Sequence, residues 1–171
     1  MEALDHLDVM ALMWERNRAR RTRVGQLIEA AKGDGDAAAL AVLAQEAAAW
    51  AGGRTGVEAT MVVPVPSSPD RPNLLVPAVA AAIAAEFGIS LVGALERRES
   101  TPRLRDLEPA QRPAVAAAAD YRVVTSVEGE RVLLIDDVVL TGTTLEHLAA
   151  LLRAHGAERV QASVLARSRR A

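Results

Sequence analysis

One stretch of the chain limits its fold more than any other. Val132-Leu133-Leu134-Ile135 is a short apolar run, Asp136-Asp137 follows at its carboxyl end, and Leu140-Thr141-Gly142-Thr143-Thr144 forms a turn. Leu145, Leu148, Ala149 and Leu152 then recur at helical spacing up to Gly156. A buried strand that passes through a tight turn into an amphipathic helix is half of a βαβ unit.

The same alternation runs through the rest of the C-terminal two thirds. Met61 to Val65 reads as a strand bounded by the turn formers Ser67-Ser68-Pro69-Asp70-Arg71-Pro72. A helix is predicted from near Asn73 to Gly88, with Pro77 tolerated in its first turn because N–H groups there have no intrahelical partner. Ile89 to Leu95 reads as a second strand, and Tyr121 to Thr125, Arg131 to Ile135 and Val160 to Leu165 as further ones. Residues up to about Gly53 read as helical, as two or three helices broken at Gly33-Asp34-Gly35. The expected fold is α/β, a mainly parallel sheet flanked by helices. It divides into an N-terminal helical segment, 1–56, and a core, 57–171, with a charged, proline-punctuated flexible loop at about 96–113.

Composition narrows the chemistry. The 171 residues include no cysteine, which excludes a thiol nucleophile, a zinc ribbon and a disulfide scaffold. Aromatic residues are only 2% of the chain, too few for a surface that stacks successive bases. Lys32 is the only lysine; every other basic residue is arginine. The cluster Arg16, Arg18, Arg20, Arg21 and Arg23 winds around its predicted helix, so a solvated face is favoured over a nucleic-acid face. No apolar run reaches the roughly 20 residues that span a bilayer, and the start of the chain is acidic where a signal peptide is basic, so the expected location is cytoplasmic.

At the turn, free N–H groups, the hydroxyls of Thr141, Thr143 and Thr144, and the helix dipole converge on one point, an anion site suited to a phosphate monoester. Thr143 and Glu146 have the spacing of a capping box with Thr143 as the N-cap, which places the N-terminus of the helix. The two carboxylates would repel that phosphate and suit the other end of a polar ligand, as acceptors for sugar hydroxyls or a hydrated Mg²⁺. A phosphate pocket a few residues from a diol or metal site describes a ribose 5-phosphate group.

Here the sequence resembles the phosphoribosyl pyrophosphate (PRPP) motif of type I phosphoribosyltransferases, an apolar strand, two acids, two apolar residues and a Thr-Gly-Ser/Thr turn. From about Met61 to Arg167 it is most similar to the ComF-like, or amidophosphoribosyltransferase-like, group. Val63-Pro64-Val65-Pro66 with Arg71 and Asn73, Thr101-Pro102 with Leu107 and Arg112, and Val160 to Arg167 carry the likeness. The chain departs from that group in lacking its cysteine-rich zinc module, so a link to DNA uptake is not carried over. It also lacks the glutamine after Thr101-Pro102 and the Arg-Asn pair after the loop arginine. At Leu140 the group usually has threonine, and purine-salvage relatives have an aspartate that handles the base's proton.

The resemblance implies a Mg²⁺-dependent transferase that binds PRPP and passes its phosphoribosyl group to a nitrogen acceptor, releasing pyrophosphate. The 5-phosphate would sit on Leu140, Thr141, Gly142, Thr143 and Thr144. Asp136 and Asp137 would face the ribose hydroxyls and reach Mg²⁺ indirectly, through water or those hydroxyls. Ser67, Ser68 and Arg71 are candidates for the pyrophosphate, with an ordinary polar turn as the plain alternative. Arg97 and Arg98 are the lid cations nearest the strand end and are expected to act on the leaving group. The N-terminal segment would serve as the hood over the acceptor, although its His6, Glu15, Asn17 and Gln26 form no recognisable constellation. His147 and His155 are expected on the surface. Relatives are commonly dimers, so a homodimer is the expected assembly. A non-catalytic PRPP-binding regulator that contacts nucleic acid or a protein through its arginine-rich N-terminus is the alternative.

Overall fold

The computed structural model describes residues 3–15, 20–54, 58–70, 72–97 and 121–168. Five strands form one sheet: β1 (His6–Leu12), β2 (Met61–Pro64), β3 (Ser90–Leu91), β6 (Arg131–Val139) and β7 (Arg159–Arg167). Their spatial order is β1-β7-β6-β2-β3, and every pairing is parallel. Two short strands, β4 (Leu95–Arg97) and β5 (Tyr121–Val123), pair antiparallel in a separate hairpin.

Because successive strand residues point to opposite faces, β6 feeds two cores at once. Val132 and Leu134 pack with the buried residues of α4 (Thr143–Ala154), Leu145, Leu148, Ala149 and Leu152. Leu133 and Ile135 pack on the other side with α1 (Arg23–Glu29), α2 (Ala37–Gly52) and α3 (Leu75–Phe87). Both faces of the strand are covered, which is why its sequence is continuously apolar. Helix α3 ends at Gly88, whose φ of 65° is the left-handed stop expected of a glycine there. Among the described residues, no helix is long and apolar enough to cross a membrane.

The N-terminal segment departs from its helical reading. His6–Leu12 is a strand, held parallel to β7 in a register that sets Leu7 opposite Ala162 and Val9 opposite Val164. Leu7 and Val9 pack against the α4-side core, while Met10 faces the other core. Asp8, buried between them, is paired with Arg54 and, at 3.2 Å, with His6. Met, Ala and Leu favour helices by intrinsic propensity, but an open edge of a parallel sheet outweighs a preference worth tenths of a kcal/mol per residue.

From Arg23 onward the helical reading holds. The chain doubles back through a bridge between Trp14 and Arg21, and Thr22 caps α1 through Gly25 N–H at 3.1 Å. Gly25 is required by close approach, since a Cβ there would lie 2.3 Å from the Met13 carbonyl oxygen. Helix α1 runs into a π-helical turn, Ala30–Asp34, that Gly35 closes at φ 67°.

A second correction concerns Ile89 to Leu95, which is two strands in different sheets. Val92 N–H still donates to the Val62 carbonyl at 2.9 Å, but the chain then leaves the main sheet at Gly93 and Ala94 to build β4.

Candidate functional site

The sheet order places the carboxyl ends of β2 and β6 side by side. From β2 the chain goes to α3 on one face and from β6 to α4 on the other, so the two connections part and open a crevice where parallel α/β sheets take ligands. The crevice holds Ser67 and Ser68 after β2, and the acid pair and its turn on β6.

Strand β6 is longer than the apolar run suggested. Its pairing with β7 continues to Val139, so the acids are the sixth and seventh of its nine residues rather than its end. Asp137 is 8% exposed, and its Oδ2 receives two donors: Lys32 Nζ at 2.5 Å and Asn73 Nδ2 at 2.7 Å. Its Oδ1 has no partner among the described residues. Asp136 is arranged alike, with Oδ1 accepting the Asp137 N–H at 2.9 Å and Oδ2 unclaimed among the described residues. Burial first, and the Asp137 charge second, push the Asp136 carboxyl up to about 7; the Asp137 N–H and Lys32 act in the opposite direction. Each carboxylate is therefore anchored by one oxygen and has the other left to accept.

Beyond Val139 the backbone turns at Gly142, where φ is 88°, and α4 begins at Thr143. The helix starts one residue earlier than the capping-box reading requires. With Gly142 as N-cap, Glu146 falls one position too late to reach back, and its Oε1 is buried without a hydrogen-bond partner among the described residues. Thr141 Oγ1 and Thr143 Oγ1 lie 2.8 Å apart, and Thr143 N–H reaches Thr141 Oγ1 only at 3.4 Å. Helix geometry leaves the N–H groups of Thr144 and Leu145 without an intrahelical acceptor. The start of α4 is thus an uncapped turn of donors and hydroxyls, with Leu140 half-buried behind it.

Asn73 ties the β2 loop to this strand. Its N–H donates to Ser67 Oγ at 3.3 Å, its Oδ1 accepts from Leu75 N–H at the start of α3, and its amide reaches Asp137. Ser68 is buried, with its hydroxyl spent on Asp70 at 2.5 Å. Arg97 ends β4 opposite Tyr121 of β5, and its guanidinium lies 5.5 Å from the Tyr121 ring centre. The Tyr121 hydroxyl is raised above its ordinary value by burial, with Arg97 opposing and the Asp136 charge adding to the rise. Arg71, Arg98 and most of the 96–113 loop lie outside the described residues.

His147, expected on the surface, is half-buried with its ring 6.2 Å from that of Tyr121, whereas His155 is exposed. In the arginine cluster, Arg21 pairs with Glu29 and stacks on Trp14, and Arg23 pairs with Glu46. These ion pairs neutralise the two arginines; Arg16 and Arg18 lie outside the described residues.

Three residues here had no site role in the sequence. Asn73 entered only as part of the family likeness, and neither it nor Tyr121 carries a local signal for its contact, which spans 64 positions to Asp137 for Asn73 and 24 to Arg97 for Tyr121. Lys32 did carry one, as the sole lysine in an arginine-dominated chain.

The phosphoribosyl transferase domain family matches residues 78–171. Two solved structures share 25% identity over 71% of this chain, each with a TM-score of 0.51. One is glutamine phosphoribosylpyrophosphate amidotransferase from B. subtilis, complexed with ADP and GMP, of which 26% is covered; the other is the allosteric regulatory enzyme of purine biosynthesis, of which 25% is covered. The chain spans about a quarter of the length of these two proteins. No curated protein matches it. With a family match over more than half of its length, on a parallel sheet whose strand order opens a crevice at the acid pair, the chain belongs to the phosphoribosyl transferase domain family.

Proposed function

We propose that the chain is a Mg²⁺-dependent phosphoribosyltransferase that binds PRPP and transfers its phosphoribosyl group to a nitrogen acceptor with release of pyrophosphate. One observation carries this reading. Among the described residues, two adjacent carboxylates each retain an uncommitted oxygen beside a helix start without a side-chain cap, which supplies acceptors for a diol and donors for a phosphate a few residues apart. Asp136 and Asp137 accept the ribose hydroxyls, and the 5-phosphate takes the turn Thr141 to Thr144 with Leu140 behind it.

The leaving pyrophosphate needs donors on the far side of the ribose. Ser67 on the β2 loop and Arg97 at the end of β4 are candidates, as are Arg71 and Arg98, their near neighbours in sequence; Ser68 contributes less, since its hydroxyl is already engaged. When bound, Mg²⁺ neutralises charge on the pyrophosphate. Among the described residues no three carboxylate or imidazole groups converge. The protein's share of that ion's surroundings is thus the free oxygens of Asp136 and Asp137, through water or the ribose hydroxyls, which fits an ion that keeps several waters and phosphate oxygens as its ligands. The residues mainly position the anomeric carbon, exclude water and offset charge, so little proton transfer is asked of them. The core from residue 57 carries these elements, and the N-terminal segment adds an edge strand, two helices and Lys32.

Leu140 favours a second reading, a PRPP-binding regulator without catalysis, because it occupies a position where a proton-handling acid would serve a purine acceptor. Calorimetry with Mg²⁺ and PRPP tests both readings. Binding by the wild type that is lost in Asp136→Asn/Asp137→Asn is expected, and unchanged binding by the double variant removes both. Pyrophosphate release over a panel of bases and amines then separates them, since release identifies the transferase and silence with intact binding identifies the regulator.

A further inference from the structure

Lys32 is the chain's only lysine, and it arrives from the N-terminal segment, 105 positions away from the acid that it contacts. It stands in the π-helical turn Ala30–Asp34, one turn beyond the buried Ile28. Such turns occur often at functional sites. Its ammonium and the Asn73 amide share a single oxygen of Asp137.

The choice of lysine has a geometric consequence. An ammonium is a compact point charge that a single oxygen can accept, whereas a guanidinium presents a planar fork that engages both oxygens of a carboxylate. In a chain whose other nineteen Lys or Arg positions are all arginine, the position that contacts Asp137 holds the residue that engages one carboxylate oxygen and, among the described residues, leaves Oδ1 open. A carboxylate as buried as Asp137 is also costly to leave without a paired cation.

We propose that Lys32 is a positioning residue of the PRPP site: it holds Asp137 by one oxygen, so that the other is presented to a ribose hydroxyl. The inference rests on the PRPP reading above and adds the N-terminal segment to that site. Lys32 does not touch the reacting atoms; it acts through Asp137.

The test uses the full chain with Mg²⁺ and PRPP. Lys32→Met and Lys32→Arg are expected to weaken binding at least tenfold in calorimetry, the arginine variant because its fork closes Oδ1 while the charge is kept. Wild-type affinity in Lys32→Arg would overturn the proposal. A second measurement reads Lys32 in the wild-type chain first. Reductive methylation with ¹³C-formaldehyde keeps the charge and labels one side chain, so the spectrum carries a single dimethyl-lysine signal besides that of the α-amine. Saturating Mg²⁺ and PRPP should move that signal, and Asp137→Asn should move it in the free protein; a signal unmoved by ligand that calorimetry shows to be bound overturns the proposal. Absence of PRPP binding by the unlabelled wild type is a different result, which removes the PRPP reading itself.

Discussion

Helices α2 and α4 begin in opposite ways. At the start of α2, Asp36 accepts from Ala38 N–H at 2.8 Å and Ala39 N–H at 3.1 Å, and α1 is closed by Thr22 in the same manner. At the start of α4, Gly142 offers no side chain, and Glu146 falls one position too late to reach back. A capped end has its donors satisfied and contributes only stability; an open end keeps donors available, at a cost of order 1 kcal/mol that a bound anion can return. The difference separates scaffold from site within one sheet: α1 and α2 hold up the N-terminal segment, and α4 opens onto the crevice beside Asp136 and Asp137.

The largest expected effects show whether the open end reflects loose packing. Leu43 of α2 and Leu148 of α4 are both 0% exposed. Leu43→Ala and Leu148→Ala should each lower stability by about 2–5 kcal/mol, in one shared unfolding transition measured by urea denaturation. A Leu148→Ala cost well below that range would mean that α4 is merely ill-anchored. A separate early transition in Leu43→Ala would make the N-terminal segment an independent unit rather than part of the same core.

The two regions also differ in how much of them could be read from residues alone. The apolar run of β6, the turn at Thr141-Gly142 and the Leu145/Leu148/Leu152 stripe of α4 agree with their local signals, although the strand runs four residues beyond Ile135. What local pattern could not supply was anything decided by a distant partner. His6–Leu12 becomes a strand because β7 presents an open edge, Ile89 to Leu95 splits because the chain changes sheets, and Lys32 and Asn73 reach Asp137, and Tyr121 reaches Arg97, across long separations. The capping box failed by one residue, since an αL glycine can itself serve as the N-cap.

Acidity offers the next test, on the open side. Unfolded, the Asp136 carboxyl loses its proton near pH 4; in the fold, burial and Asp137 hold the proton until about pH 7. Between these values the native protein keeps a proton that the unfolded chain has released, so this group's contribution to stability falls as pH rises from 4 to 7. Asp136→Asn should remove that decline. Urea midpoints at pH 4.5, 6 and 7.5, compared between wild type and variant, would converge at the acid end and separate, with the variant more stable, at the neutral end. Parallel pH profiles would show that Asp136 is ionised throughout.

Gly142 tests the open end directly. A Cβ at that position meets nothing within 4 Å, so Gly142→Ala is penalised only by its φ of 88°, at about 1–2 kcal/mol. Relaxing that φ would turn the first N–H groups of α4 away from their common point. A loss of PRPP affinity of about tenfold or more by calorimetry is expected, since one charge-assisted hydrogen bond contributes about 1.5–3 kcal/mol.

The smallest effects belong to the capped ends and complete the contrast. Asp36→Ala and Thr22→Ala each remove a side-chain acceptor from a helix start on the N-terminal segment, and each should cost about 1 kcal/mol of stability, read as a lowered thermal midpoint. Neither residue lines the crevice, so PRPP affinity should stay within twofold of wild type at a temperature where both variants are folded. Gly142→Ala is expected to cost similar stability yet lose affinity as well. Equal thermal losses with unequal affinities would assign the difference to what each helix start faces, the protein's own side chains at α1 and α2 and a ligand at α4. Equal losses of both would mean that helix capping anywhere in the chain governs the site through global stability, and the distinction between scaffold and open end would fall.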